Sequence, residues 1–571
     1  MTELLGAFEM IRRTPLILCW LAVIGFAVVR GRGRWTLPRF SFDPVVALCV
    51  CGCGGILVLT GITAAFSPPN SSDAMAYHLP RVIYWAEQSS VRFFPTTYLN
   101  QIMLQPLAEY AGLHLYLLSG GDRLSNFVQW FASLVCIAGV SSIAKEFGAT
   151  ARGQAMAALF CATIPSGVLA SSGAKNDYFL AMWLVLAVYF AMRWNPVLLG
   201  VTFGCALLTK ATAYLFGPWV VLAALVLKRR VPGLRGLAIA GALAVGINAP
   251  HYARNYELSG SILGFDSAHG DGVYRWRNDT FSAKNTLSNV LRNISEQLGS
   301  RDPRWNRRVY DWVVQLHQKF GIDPSDPKTT WPYTVYEQPR NANHEVNVPN
   351  KWQLAVLAAV SCVLLFQFPV FLLFAAALVC GFLAFCFYLK WQFFLGRLFL
   401  PLWVLSAPLL GVMRWPRWAG LAQAALCVFL LSDARRPVLE NWIRPLKGER
   451  SVLHVPRDQQ YFADMTQWNN RSTYFSTVDV LTKTGCDRFG IDITNLQLEY
   501  PLLALIRGKI PSATFVHTGV QNASAQYRQP VAVSPCAIVC LDCAGDTKRL
   551  DLYGAFPKRT AVDKFVVLLP D

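Results

Sequence analysis

Long apolar runs dominate this chain and restrict what it can fold into. Stretches near 14–30, 44–66, 124–144, 153–171, 177–193, 196–209, 211–228, 236–253, 352–366, 369–389, 395–413 and 415–432 are each about long enough to cross or nearly cross a bilayer as a helix. A backbone crossing lipid must satisfy its own polar groups, so these runs are expected to be helices. Of the 571 residues, 54% are hydrophobic and only 15% are charged, against roughly a quarter charged in a soluble domain. The fold class expected is an α-helical polytopic membrane protein of about twelve spans. Beyond about residue 446 the composition turns soluble. There Ala513-Thr-Phe-Val-His517 and Ala537-Ile-Val-Cys-Leu541 read as strands and 498–507 as a helix, a small α/β domain.

The net charge of +18 does not point to nucleic acid, because no recognition motif accompanies it. The basic residues instead punctuate the apolar runs. Arg30, Arg32, Arg34 and Arg39 follow the first, Lys145 and Arg152 the third, Arg193 the fifth, Lys228 to Arg235 the seventh, and Arg414 with Arg417 the eleventh. Alternation puts all of them on one face, which the positive-inside rule assigns to the cytoplasm. The opposite face then carries 67–123, the Lys175/Asp177 turn, 251–351, the 390–394 turn and the C-terminal region. Parity also sends the N-terminus outward, against Arg12 and Arg13, which precede the first run. Three segments follow: 1–43 as an N-terminal helix with a basic loop, 44–432 as the membrane domain with outer loops 67–123 and 254–350, and 433–571 as a soluble outer domain.

Residues 74–90 mix aromatic, apolar and charged residues as an amphipathic interfacial helix would, and 102–119, broken by Pro106, reads as a short helix at the membrane surface. Cysteines in the apolar runs, Cys49-x-Cys51-x-Cys53 included, read as packing groups. Cys486, Cys536, Cys540 and Cys543 could form one or two disulfides if their region lies outside the cytoplasm, with no spacing that selects partners. No P-loop, dinucleotide glycine fingerprint, zinc-protease motif or serine elbow is present.

Charged groups near a bilayer are costly and tend to mark functional sites. Asp73 opens Asn70-Ser-Ser-Asp-Ala-Met-Ala-Tyr-His-Leu-Pro-Arg81, and Asp177 lies in Ser171-Ser-Gly-Ala-Lys-Asn-Asp-Tyr178. Both fall on the outer face, where paired acids could take a hydroxyl proton or hold a divalent cation such as Mg or Mn. Each could instead cap a helix. Arg81, Lys175 and Arg397 suit a phosphate, or in the case of the first two, snorkelling to headgroups. Lys210 in Leu208-Thr-Lys-Ala-Thr212 offers the same choice. His78, Glu109 and the pair His344-Glu345 are weaker candidates, as readily structural.

On these residues the chain resembles the GT-C superfamily of polytopic glycosyltransferases, in the branch of bacterial homologues of protein O-mannosyltransferases and of lipid A aminoarabinose transferase. The resemblance rests on Asp73 with Tyr77-His-Leu-Pro-Arg81, on Lys175-Asn-Asp177-Tyr, on Thr209-Lys210, on Arg254-Asn255 and on the Arg397 run ending in Leu400-Pro401. It implies an inverting enzyme of the cell inner membrane that moves a sugar from a polyprenyl phosphate or pyrophosphate to a glycan, lipid or protein on the outer face. Asp73 would be the catalytic acid residue and Asp177 its partner, the two also being candidate metal ligands. Tyr77, His78, Arg81, Glu109, Lys175, Asn176, Lys210, Arg397, His344 and Glu345 would contact the substrates. In most of the family the first acid follows the first span, whereas here it follows the second. A lipid-linked glycan or solute transporter would also show about twelve spans, but with helix-embedded charges and repeat symmetry rather than acids clustered at one rim, and a scaffold protein would leave the outer face without a cavity joining Asp73 to Asp177.

Overall fold

A computed structural model describes residues 1–571 except 32–42, 231, 265–275, 333, 417, 465–466, 495–496 and 529–533. Arg32, Arg34, Arg39 and Arg417 lie outside the described residues. Every apolar run has its helix. Pro44–Phe66, Pro196–Thr209 and Asp177–Met192 begin where the sequence places a proline or an acid at the first turn, residue types suited to a helix start. Among the described residues five helices are long and apolar enough to cross a membrane, or six if the bent pair Ala151–Ala162 and Pro165–Ser171 is one span, fewer than the twelve expected. Four more apolar helices, among them Asp177–Met192 and Thr212–Leu227, are shorter. The 67° bend falls where Pro165 removes a helical donor.

Small residues bring the helices of this body together. A Cβ added at Gly204 would lie 2.9 Å from Ala244 Cα, and one at Gly153 would lie 2.0 Å from the Gly411 carbonyl oxygen. Such close backbone approach is how helices associate where lipid removes the hydrophobic drive. Cys49, Cys53, Cys136 and Cys161 are buried in this core. At one end of the bundle Arg152 pairs with Asp43 at 2.5 Å, and Lys228 and Arg193 lie near Glu146 at 3.4 and 3.5 Å.

The other end gathers the segments that alternation assigned to a single face. Arg277 bridges to Leu389 and Thr330 to Trp391, and Lys390 Nζ donates to Asp279 at 2.8 Å. The long 254–350 segment contains two helices, Ala283–Gln297 and Pro303–Lys319, neither of which stands out as an apolar run. Thr2–Ala7 packs on this same end: Thr2 Oγ1 lies 3.0 Å from His114 Nε2, and Arg254 donates to Glu3 at 2.7 and 2.9 Å. The N-terminus therefore shares the face of loop 67–123, as parity requires despite Arg12 and Arg13. From it Arg13–Gly31 runs along the bundle, with 6% of its apolar window buried.

Residues 74–90 depart from the interfacial reading. Leu79 to Trp85 are all buried, because the C-terminal domain covers the helix. That domain holds a five-stranded sheet of order β2-β1-β3-β5-β4, with β1 at Arg488–Ile493, β2 at Thr514–His517, β3 at Ala537–Leu541, β4 at Lys558–Val562 and β5 at Phe565–Leu569. The first three are mutually parallel and β5 runs antiparallel to β3 and β4. Helix Glu499–Lys509 joins β1 to β2. One core unites Met75, Val82, Trp85 and Leu113 with Phe489, Leu502, Ile506 and Val539. Disulfides link Cys486 to Cys536 and Cys540 to Cys543.

Candidate functional site

The helix that begins at Ser72 and carries Asp73 is not regular. Pro80 has no N–H to return to the carbonyl of Ala76, and its ring crowds the preceding turn. The chain answers with a π turn over Ala74–His78, in which Leu79 N donates to Ala74 O. Gln101 Nε2 takes the Ala76 carbonyl at 3.0 Å. Single π turns inside α-helices recur at functional sites. This one leads from Asp73 to the polar face of the helix.

Around Asp73 lie four buried or half-buried cations. Arg397, on the 3-10 turn Phe393–Phe399, donates through Nη2 to Asp73. Lys210 stands in extended conformation between Pro196–Thr209 and Thr212–Leu227. From there its Nζ donates to Asp177 Oδ1 at 2.6 Å and Asn176 Oδ1 at 2.9 Å. Lys175 pairs with Glu345 at 2.5 Å. Arg444 donates to Glu345, to Asn70 at 3.0 Å and to the Leu169 carbonyl at 3.1 Å. Asp73 and Asp177 are thus joined through shared cations: Arg397 and Lys175 act on both carboxylates. Asp73 keeps 28% of its side chain exposed and Asp177 1%.

The charges decide the ionisation. Burial works to raise the Asp73 carboxyl, but Arg397, with Lys175 and His78, prevails and holds it well below the ordinary carboxylate range. Glu345 is likewise raised by burial and lowered further by Lys175, Arg444 and His344, so it too remains ionised. Opposite charge within a few ångströms outweighs desolvation in both cases. Three carboxylates (Asp73, Asp177, Glu345) meet four cations (Lys175, Lys210, Arg397, Arg444), with a fourth carboxylate, Asp464, set behind them against His344.

The remaining candidates divide. His344 joins the cluster from behind, with Nε2 2.8 Å from Asp464 Oδ1, while Asp464 Oδ2 accepts from Ser72 N at 2.6 Å and Ser72 Oγ at 2.8 Å. Tyr77 lies beside Asp73. Arg81 faces away from the cluster: fully buried, it donates to the carbonyls of Gln101 at 2.5 Å and Leu104 at 2.7 Å and lies 3.7 Å from Glu109. That arrangement braces loop 67–123. Glu109 pairs with His78 Nδ1, and both line a small cavity of about 20 Å³ shared with Ser125, Ala174 and Lys175. Arg254 and Asn255 are spent on Glu3 and on the carbonyls of Met103 and Ile262. Arg444 and Asp464 were not singled out in the sequence. Nothing in the spacing of Asn441-Trp-Ile-Arg444 or of Asp464 pairs them with residues about 100 to 400 positions earlier.

A scan against protein-family models and a sequence comparison with curated proteins give no match. Solved structures do match. ArnT from Cupriavidus metallidurans in the apo state superimposes with a TM-score of 0.52 at 16% identity, covering 92% of this chain and 98% of that one. The same protein bound to undecaprenyl phosphate matches with a TM-score of 0.50 at 13% identity, over 91% and 97%. At such identity the likeness is one of fold, and it covers nearly the whole chain: this is a multi-pass membrane protein that shares the fold of ArnT.

Proposed function

We propose that this protein is an inverting membrane glycosyltransferase that takes a sugar from a polyprenyl-phosphate or polyprenyl-pyrophosphate donor and passes it to a glycan, lipid or protein of the cell envelope. The observation that carries the reading is the Asp73–Arg397 pair, set among Lys175 and Lys210 on the fold of a protein solved with undecaprenyl phosphate. The donor's phosphate diester carries one negative charge and gains a second as the sugar departs, and an arginine fork matches its oxygens well. Arg397, Lys175 and Lys210 hold it in this reading, and their charge stabilises the negative charge that builds on the leaving phosphate.

Asp73, held ionised, accepts a hydrogen bond from the acceptor hydroxyl and orients it toward the anomeric carbon, which inverts as the phosphate departs. Asp177 fixes Lys210, while Asn176 and Tyr77 complete the wall. His344-Glu345 acts through others, His344 on Asp464 and Glu345 on Lys175 and Arg444. Asp73 is tied to Arg397 and Asp177 to Lys210 through one oxygen each, and Asp177 Oδ2 is left without a hydrogen-bond partner, so these two acids are the residues that would hold a divalent ion, which would add positive charge beside the leaving phosphate. No step is routed through a metal. The protein belongs, on this reading, to the cell inner membrane, with the Asp73 end of the bundle and residues 433–571 outside the cytoplasm, where polyprenyl-linked sugars are consumed.

Purified protein in lipid discs, offered polyprenyl-phosphate sugars and envelope extracts, should release free polyprenyl phosphate together with a glycosylated product. Movement of intact donor between leaflets without transfer would replace the reading with a transporter.

A further inference from the structure

One helix of the 254–350 segment takes no part in the transfer proposed above. Pro303–Lys319 starts where Asp302 caps it, the Asp302 carboxylate accepting from Arg304 N at 2.9 Å. At 3.6 residues per turn, Val309, Val313 and His317 share one face, and all three are buried. His317 Nε2 lies 2.9 Å from Ser288 Oγ, so this face is fastened to helix Ala283–Gln297. Another face, an arc of about 100°, presents Arg304, Trp305, Arg308, Trp312 and Lys319, all exposed. Three cations and two indoles thus form one stripe. The helix's only acid, Asp311, lies beside the arc and is paired with Arg307 at 3.0 Å. Arg304, Arg308 and Lys319 form no ion pair among the described residues.

We propose that this stripe docks on the bilayer leaflet at the Asp73 end of the bundle, its cations on the phosphates of anionic phospholipids and its tryptophans at headgroup level. The inference goes beyond the transfer reading and does not depend on it.

Position carries the first half. Lys351 opens the apolar helix Lys351–Gln367, and its Nζ lies 4.8 Å from the ring of Trp352 and 5.8 Å from that of Trp305. Trp352 packs edge-on against Phe429 of helix Gly420–Leu439 and is itself exposed, as tryptophans at a bilayer rim are. The stripe therefore begins level with the ends of two membrane helices. Arg301, just ahead of the helix, makes a second link, since it acts with Lys351 on Asp433 of Gly420–Leu439. Trp305 Nε1 donates to the Leu298 carbonyl at 2.8 Å, which holds that ring at the rim.

Charge complementarity carries the second half. Water would satisfy the three cations but leave Trp305 and Trp312, 39% and 47% exposed, without apolar cover. A neutral apolar partner would cover the indoles and leave the cations without counter-charge. Anionic headgroups above acyl chains serve both: a basic, tryptophan-bearing amphipathic helix lies in the interface, and anionic lipid attracts cations placed beside a membrane helix.

The test is fluorescence quenching in full-length protein in lipid discs. The chain has 18 tryptophans, and the difference between wild type and Trp312→Phe isolates one. Brominated phosphatidylglycerol should quench that difference at a mole fraction at least about fivefold lower than brominated phosphatidylcholine does, which is the worth of one cation beside a charged leaflet. About 1 M salt, which shortens the screening length to about 3 Å, should remove the preference. So should Arg304→Gln, Arg308→Gln and Lys319→Gln combined, with the remaining tryptophans reporting that this variant is folded. Should it fail to assemble, the comparison of the two lipids on wild type and Trp312→Phe still decides. Equal quenching by the two lipids overturns the headgroup contact. Quenching by aqueous iodide and by neither lipid puts the stripe in water, overturns the proposal and makes an acidic protein its occupant. Neither result touches the glycosyltransferase reading, which stands or falls on sugar transfer.

Discussion

The membrane body and the cap at its Asp73 end, made of residues 67–123 and 254–350 with the C-terminal domain, solve the problem of buried polar groups in different ways. In the body, polar side chains turn to their own helix: Thr60 donates to the Ile56 carbonyl at 2.8 Å, Thr163 to Leu159 at 2.8 Å and Thr202 to Leu198 at 2.7 Å. Helices then meet through glycine and alanine. In the cap, buried charges reach across the chain. Asp73 and Arg397 are separated by 324 positions, Glu345 and Arg444 by 99, and Tyr84 and Glu499 by 415. The body combines these local bonds with a few neutral ones between neighbouring helices, such as Asn248 to the Gly204 carbonyl at 2.9 Å and Gln129 to the Ala170 carbonyl at 3.0 Å. The cap is one network, so a single change there should be felt by several segments at once, and its charges are where chemistry can be stored without unfolding the bundle.

The sharpest separation of the two regions comes from Asp73. Asp73→Asn keeps the volume but removes the negative charge that orients the hydroxyl, and transfer should fall by roughly 10²–10⁴-fold. The change also strands Arg397, which holds the Asp73 carboxyl low in the folded protein, so the melting temperature should fall as well and turnover per folded molecule is the readout of the chemistry. Measuring turnover and melting on the same preparation checks both halves. Transfer at the wild-type rate would remove Asp73 from the chemistry.

Glu345 makes the case for stability. It is 1% exposed and bonds both Lys175 and Arg444. Glu345→Gln strands two buried cations, which should cost about 3–5 kcal/mol and lower the melting temperature. The double variant Glu345→Gln, Lys175→Met should recover part of that loss. Its folded carboxyl lies below the ordinary 4.5, so its contribution is whole above that pH and is lost as pH falls below it. The variant's melting should therefore lack that acid-side decline.

This contrast also explains what could be read before the fold was known. Pro196, Asn195 and the apolar run after them mark one helix from local residues alone, and so do Asp43 and Pro44. Asp73, Asp177, Lys210 and Arg397 were legible as charges in expensive places. Arg444 and Asp464 were not, because a polar residue in a polar stretch carries no such signal until the chain closes over it. Arg81 misled for the same reason in reverse: a charge near the membrane edge resembles a phosphate ligand, although its partners are two backbone carbonyls and Glu109. Strands β1, β4 and β5 escaped notice, since four of the five residues of β4 are exposed and its pairing with β5 is what defines it.

For the body, Gly204→Val tests whether assembly there is local. The new side chain would meet Ala244 Cα and carbonyl oxygen at 2.9 and 3.2 Å, backbone that cannot rotate away. A loss of about 1–3 kcal/mol is expected, with polyprenyl-phosphate affinity unchanged in whatever fraction stays folded. Affinity that falls with stability would mean that body and cap are coupled more tightly than their contacts imply.

The smallest effect is expected at Glu296, where the cap departs from its own rule. Among the described residues this carboxylate forms no ion pair, and burial pushes it up to about 8, opposed by Arg340 and aided by Glu337. A carboxyl raised on folding binds more protons in the folded than in the unfolded chain between about 4.5 and 8. Stability must therefore fall as pH rises through that window and level off above it. Glu296→Gln supplies a neutral side chain of the same shape, so it should remove this slope and gain on the order of 1 kcal/mol at pH 8, with nothing gained at pH 4. Melting midpoints of wild type and variant at pH 4, 6 and 8 decide it. Parallel curves would place an unseen partner on Glu296 and extend the rule of paired charges to the whole cap. Converging curves at low pH would show that the cap tolerates one unpaired acid, provided that it stays protonated.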